Sequence, residues 1–264
     1  LRRSLEPKLL ERCVEQVEVR SPSLREPLDR RSLSRLKGRR VEALRRRAKY
    51  LLIDFEGASS LVIHLGMSGQ FTVVPAGEPA APHEHLAFHL DRAERLRLVD
   101  PRRFGLAFVR ATNRLERDRH FEHLGVEPLG PDLTPGLLRA AARGRRGPIK
   151  NFLMDGRIVV GVGNIYAAES LWRAQVHPRR SVARVGRGTW ERLTAEVRGV
   201  LARAIGEGGT TLNDFADGEG NAGYFQVSLC VYGREGEPCL RCGRTLKRIV
   251  QSGRSTFYCP GCQR

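Results

Sequence analysis

The chain has 264 residues, with 46 Lys and Arg against 29 Asp and Glu, giving a formal net charge of +17. A folded chain this basic suits polyanions and is ill matched to basic partners, although an Arg-, Ala- and Gly-rich composition also fits a high-GC genome in which part of the charge is merely solvated surface. A hydrophobic fraction of 41% excludes a disordered basic tail, the length suits one large or two moderate domains, and the lack of an apolar run of about 18 residues excludes a membrane-spanning helix.

The opening LRRSLEPKLLER has no long apolar segment, so no export leader is expected. Residues 1–13 are expected to be helical, with Pro7 near a bend or boundary. Strand character follows from 14 to about 110. EQVEVR (15–20) alternates and YLLIDF (50–55) is an apolar strand. SSLVIHLGMSGQFTVV (59–74) is two apolar stretches joined by a Gly-Met-Ser-Gly turn, and HLAFHL (85–90) and ERLRLVD (94–100) alternate with period two. PAGEPAAPHEH (75–85) reads as a loop. Such a succession indicates a β-sandwich or barrel. From about 113 helical patterns take over: LERDRHFEHLG (115–125), TPGLLRAAARG (134–144), NIYAAESLWRAQ (164–175) and TWERLTAEVRGVLARAIGEG (189–208). EPLGPDLTPG (127–136) reads as a linker. The polar, Gly-rich stretch 208–226 has the length of an irregular segment kept for function.

Six cysteines sharpen the reading. Cys239, Cys242, Cys259 and Cys262 form two C-x2-C pairs separated by sixteen residues, a zinc-ligand spacing. The intervening TLKRIV and STFY flank a QSGR turn and predict a β-hairpin. A four-cysteine site has no open coordination position, so one structural zinc ion is expected there; a pair of disulfides is the alternative in an oxidising compartment. Cys13 and Cys230 read as lone buried thiols.

Four constellations carry chemistry. Gly161-Val162-Gly163-Asn164 opens a helix, where free backbone N–H groups and the helix dipole suit a phosphate; Asn164 would add a donor or simply cap the helix. Asp100-Pro101-Arg102-Arg103-Phe104-Gly105 puts cations and an aromatic ring on a turn, which suits a wedge into a base stack, as does Met67 at the tip of its turn; a buried Phe and a core Met are the plain alternatives. Lys49 is one of only five lysines and lies in an Arg run; Lys shifts its pKa and moves protons where Arg does not, yet a solvated cation fits as well. Arg254 falls at the tip of the hairpin, where a metal would hold it rigidly. His64, His83, His85 and His89 are candidates for phosphate contact.

Taken in order, RRSLEP, RRRAKYLL, IHLGMSG, DPRRFG, GVGNIYAAESL, GGTTL–DF–GYF, VYGREGEPC and GRSTFYCPGCQ resemble the formamidopyrimidine-DNA glycosylase family, which includes endonuclease VIII. The resemblance covers essentially the whole chain. It implies an α+β multidomain fold: an N-terminal β-sandwich with a leading helix (1–120), a helix–two-turn–helix lobe with a lesion-capping loop at 208–226 (121–226), and a four-cysteine zinc finger (227–264). DNA would lie between the lobes. The GGTTL–DF–GYF loop and VYGR are similar to the oxidised-purine branch, which implies a bifunctional DNA glycosylase/AP lyase acting by β,δ-elimination on double-stranded DNA with a damaged base or abasic site. A monomer in the bacterial cytoplasm, associated with the nucleoid when on DNA, is expected.

By the same resemblance Met67, Arg102 and Phe104 are the wedge that fills the gap left by a flipped base. Lys49 assists at the phosphate and in β-elimination, and Arg254 grips the kinked phosphates and takes part in δ-elimination. Asn164 grips the same phosphates, while His64, His83, Arg145 and Lys150 are further DNA contacts. Asn213 stands where some relatives carry Lys. Family members open with a Pro whose secondary amine is the nucleophile, followed by Glu. The sequence opens at Leu1, where the family's first helix is already under way, and reads as N-terminally truncated. Two other functions remain in view: an endonuclease VIII-like oxidised-pyrimidine glycosylase, and a non-catalytic damaged-DNA-binding protein.

Overall fold

A computed structural model of the chain describes residues 1–207 and 229–264; the loop expected at 208–226 lies outside the described residues. The chain divides into two compact units between Glu122 and His123.

The first unit opens with helix α1 (Arg2–Leu9), which drops Leu5 and Leu9, one turn apart, into the core. Pro7 lies within this helix, two residues before its last residue, Leu9. Strands β1 (Val14–Val19), β2 (Val41–Arg47), β3 (Tyr50–Phe55), β4 (Ser59–His64), β5 (Gln70–Pro75), β6 (Glu84–Leu90), β7 (Glu94–Val99) and β8 (Leu106–Ala111) follow, with a short helix α2 (Arg30–Ser34) between the first two. They form two four-stranded sheets, in the orders β1-β6-β7-β5 and β2-β3-β4-β8, and every pairing is antiparallel. Ile53, Leu61, Phe71, Leu86, Phe88 and Leu98 share the buried core. Strand β3 is buried at nearly every position. Its alternate residue Leu52 faces Leu115 and Phe121 instead of that core, which explains a continuous apolar run in an antiparallel strand.

The two stretches of 59–74 are β4 and β5, and they belong to different sheets. The Gly-Met-Ser-Gly turn therefore steps from one sheet to the other. LERDRHFEHLG departs from the helical expectation: Thr112–Arg117 is a 3-10 helix and turns follow it. Asp118 accepts from the main chain and ring of His120 and from Arg110, and these local bonds compete with the helical ladder.

In the second unit, α3 (Pro135–Ala141) starts with Thr134 accepting the Leu137 N–H and with Pro135 in the first turn, the residues a helix start favours. Helices α4 (Ile149–Leu153), α5 (Asn164–Arg173) and α6 (Arg187–Gly206) follow, with a short 3-10 helix at Val182–Arg184 before the last. Hairpin β9 (Lys247–Gln251) and β10 (Arg254–Tyr258) closes the chain. Helix α5 is buried from Ala167 to Trp172. Ala167 and Leu171 enter a core with Trp190 and Leu193, while Ala168 and Trp172, about 100° further round, enter another with Phe257 and Cys259.

Burial sets the energetic expectation. Phe88→Ala should cost about 3–5 kcal/mol in urea unfolding followed by circular dichroism, because it empties a packed core site. Val250→Ala, at a position 60% exposed, should stay within about 0.5 kcal/mol.

Candidate nucleic-acid interface and metal centre

In the first unit two turns lie back to back. Gly66 has φ +65°, and a Cβ there would fall 2.5 Å from the main-chain carbon of Phe104, so the backbones touch and only glycine fits. Met67 and Phe104 project from these turns, 59% and 45% exposed. The Arg102 guanidinium sits 5.0 Å from the Phe104 ring centroid, a cation–π contact. Beneath them the Asp100 carboxylate is fully buried. It accepts from the Ser68 hydroxyl at 2.7 Å and from the Gly105 N–H at 2.7 Å. The Asp100 carbonyl accepts from His85 Nε2–H at 2.8 Å, and its N–H donates to the His83 carbonyl at 3.0 Å. His83 is exposed, with φ +63°.

His85 and His89 are engaged within the sheet: the first is buried against the Asp100 carbonyl, and the second bonds Glu18 at 2.7 Å. Lys49 lies in the two-residue turn between β2 and β3. It lines a cavity of about 300 Å³ with Leu1, Arg46, His64 and Gly66. Burial, then the charges of Arg25 and Lys49, lower the His64 pKa to about 4. His64 Nδ1 accepts the Gly66 N–H at 3.0 Å, so the ring is neutral and its proton is on Nε2.

In the second unit three side chains converge on the β9–β10 hairpin, two of them on β10 and one on the turn. Lys150 is 1% exposed; its ammonium donates to Thr256 Oγ1 at 2.5 Å and to the Ser255 carbonyl at 3.3 Å. Burial and Arg254 bring its pKa down to about 8. The structure thus places Lys150 behind the hairpin, not on an open surface. Asn164 Nδ2 donates to the same Ser255 carbonyl at 3.0 Å and to the Tyr232 hydroxyl at 3.3 Å. It does not cap α5, whose N-cap is Gly163, and its Oδ1 is buried without a hydrogen-bond partner among the described residues. Asn151 donates to Ser252 in the hairpin turn at 2.8 Å. Arg254 flanks that turn and is exposed. Arg145 stands apart, paired at 3.2 Å with Asp155, a carboxylate that Arg157 and then Arg145 hold down to about 2 against its burial.

The Cys239, Cys242, Cys259 and Cys262 sulfurs lie within 4.8 Å of one another, with Cys242–Cys259 at 3.5 Å and Cys239–Cys262 at 4.0 Å. A tetrahedral zinc with Zn–S of about 2.3 Å requires S–S edges of about 3.8 Å, so the set fits one structural ion. Burial pushes the Cys239 thiol up, but main-chain N–H donors of Arg241 and Cys242 pull it down to about 6, whereas burial pushes the Cys262 thiol up to about 12. The Arg241 guanidinium covers the Trp172 ring at 4.6 Å. Cys13 and Cys230 are half-buried, and the Arg173 guanidinium donates to the Cys230 sulfur at 3.4 Å.

Three residues here escaped sequence reasoning: Asp100, Trp172 and Glu169. The buried Glu169 carboxylate accepts the main-chain N–H groups of Cys230, Val231 and Tyr232 at 2.9–3.1 Å. Its one signal was a charge inside an apolar helix.

Comparison with known proteins decides the family. The formamidopyrimidine-DNA glycosylase N-terminal domain model matches residues 1–107, the formamidopyrimidine-DNA glycosylase H2TH domain model residues 124–216, and the model of the zinc finger found in FPG and IleRS residues 236–264. The chain belongs to the formamidopyrimidine-DNA glycosylase family. Its fold is accordingly that of an N-terminal β-sandwich, a helical H2TH domain and a four-cysteine zinc finger. It is 47% identical over 274 residues to the formamidopyrimidine-DNA glycosylase of Ruegeria pomeroyi, covering 100% of this chain and 97% of the relative. The Rickettsia felis enzyme of that name is 46% identical, with 100% and 95% covered. Among solved structures, the MutM (FPG) protein of Thermus thermophilus matches with TM-score 0.88 and 38% identity, over 99% and 95% of the two chains. The Lactococcus lactis Fpg bound to abasic-site DNA matches with TM-score 0.92 and 29% identity, over 100% and 96%. A variant of it bound to Fapy-dG-containing DNA gives 0.93 at the same identity and coverage.

Two measurements check this family site. Chelating the metal should shift tryptophan emission, and Trp172→Phe should abolish the shift, since the other tryptophan, Trp190, is buried in a separate core. The His64 ring should not titrate between about pH 5.5 and 8 by NMR. Because its folded pKa lies below the unfolded value, stability is lost as pH falls from 6.5 towards about 4.

Proposed function

We propose that the chain removes oxidised purines, 8-oxoguanine and formamidopyrimidines, from duplex DNA as a bifunctional DNA glycosylase/AP lyase of base-excision repair. The observation that carries this reading is the pair of exposed apolar tips, Met67 and Phe104, on adjoining turns above a buried hydrogen-bond network. Exposed large apolar side chains on a strongly basic chain suit insertion into a base stack. Flipping a nucleotide costs a few kcal/mol of unstacking, and the two side chains with Arg102 offset part of that cost by filling the gap. The names of the relatives, and the Fapy-dG and abasic-site DNA in the solved complexes, support the damaged-purine assignment.

The chemistry starts from the neutral secondary amine of the Pro with which family members open, a residue that does not stand in this sequence. Its nitrogen attacks the sugar C1′ while the bond from C1′ to the base breaks, and the base leaves with a proton. The resulting Schiff base acidifies C2′–H, so the 3′ and then the 5′ C–O bonds break by elimination. Lys49, on the cavity wall beside the neutral His64, serves the phosphate and proton steps. Arg254 and Asn164 hold the backbone phosphates, with His83 and Arg145 as outer contacts and Lys150 as support for the hairpin. The zinc holds the hairpin and takes part in no bond change. The chain acts as a single copy in the bacterial cytoplasm, where thiols stay reduced.

The test uses protein expressed from its native gene start, with the N-terminal residue read by mass spectrometry. Borohydride trapping should give covalent adducts with 8-oxoguanine and abasic duplexes. Adducts with thymine glycol alone would move the assignment to the endonuclease VIII type, and their complete absence would leave a damaged-DNA binder. Arg254→Ala should weaken binding to an abasic duplex about tenfold, the loss of one charged contact of about 1.4 kcal/mol. Met67→Ala should slow excision more than it weakens affinity.

A further inference from the structure

We propose that Asp100 is a positioning residue that locks the Met67 and Phe104 turns into one pre-formed wedge; the inference rests on the wedge reading above. Asp100 is wholly buried, and one carboxylate oxygen takes the Ser68 hydroxyl while the other takes the Gly105 N–H. Ser68 follows Met67 directly and Gly105 follows Phe104 directly. A single rigid group therefore fixes the residue beside each tip. The main chain of Asp100 extends the tie to His83, through its N–H, and to Arg103, whose N–H it accepts at 3.2 Å.

A charge buried this deeply is costly unless donors satisfy it. Hydrogen bonds to an ionised acceptor are roughly twice as strong as neutral ones, so the arrangement resists the turns moving apart. The close approach of Gly66 to Phe104 leaves no slack on the opposite side. A wedge already held at its working spacing enters the stack without first ordering two flexible tips, and ordering such side chains is a recurring cost of binding. Asp100 touches neither base nor phosphate in this account; it acts through Met67 and Phe104.

The test is a double-mutant cycle on a duplex with 8-oxoguanine and a neighbouring 2-aminopurine that brightens when it unstacks. Asp100→Asn keeps the size of the side chain but loses the charge and one acceptor. It should lower the single-turnover excision rate about tenfold, equivalent to about 1.4 kcal/mol, with Kd for the same duplex within about twofold and a smaller 2-aminopurine amplitude. Ser68→Ala, which leaves the core intact, should show the same pattern more weakly and carries the test if Asp100→Asn does not fold. In the Met67→Ala background, Asp100→Asn should add less than about twofold, because contacts acting through one another are not additive. Excision at the parent rate by Asp100→Asn and Ser68→Ala, with Met67→Ala impaired, overturns the inference and leaves the wedge standing. Multiplicative effects with unchanged 2-aminopurine amplitude also overturn it, reducing Asp100 to a stability role. Parent-like excision by Met67→Ala removes the wedge reading, and the positioning role with it.

Discussion

A carboxylate taken out of water must be given donors, and in each compact unit one such group organises the functional side chains around it. Asp100 in the first unit and Glu169 in the second are both buried. Asp100 joins the nearby Gly105 N–H to the distant Ser68 hydroxyl, and Glu169 takes its donors from the distant segment 230–232. Losing one partner of such a group leaves an unpaired charge in a low-dielectric interior, which costs several kcal/mol. The turns carrying Met67 and Phe104, and the segment 230–232 beside the metal hairpin, are therefore held by interactions that do not slip by small amounts.

The same economy governs the hairpin that carries Arg254. Zinc closes its base through four thiolates, while Lys150, Asn151 and Asn164 tie its upper part to the helices. Helix α5 links the two levels. Asn164 at its first turn bonds β10, and Trp172 at its last turn packs against Cys239 and Cys259. Because one helix holds both β10 and the cysteine cluster, metal occupancy and the posture of Arg254 belong to one mechanical assembly.

The net charge of +17 also resolves into parts. Arg12 is engaged by Asp91 and Glu94, Arg45 by Asp54, Arg95 by Glu84, and Arg234 by Glu237. These pairs serve the fold. Unsatisfied surface charge gives diffuse, salt-dependent attraction to a phosphate backbone. Arg102 and Arg254 are different in kind: one lies over an aromatic ring at a turn tip and the other flanks a pinned hairpin turn.

Sequence by itself determined the elements whose periodicity is strong and local. YLLIDF, HLAFHL, NIYAAESLWRAQ and the long α6 pattern lie where their apolar spacing puts them, and the cysteine spacing defined the metal set. It also placed Met67, Arg102 and Phe104 on turns, because Gly and Pro flank them. Tertiary structure alone decided which strands share a sheet, so that β4 and β5 part company across a short turn. It buried Lys150 and His85, turned 112–122 into a 3-10 helix and turns, and gave Asp100, Glu169 and Trp172 their roles. The reason is physical. Periodicity records which face of an element meets apolar surroundings, but the partner of a buried polar group is set by chain segments remote in sequence, and no local pattern encodes it.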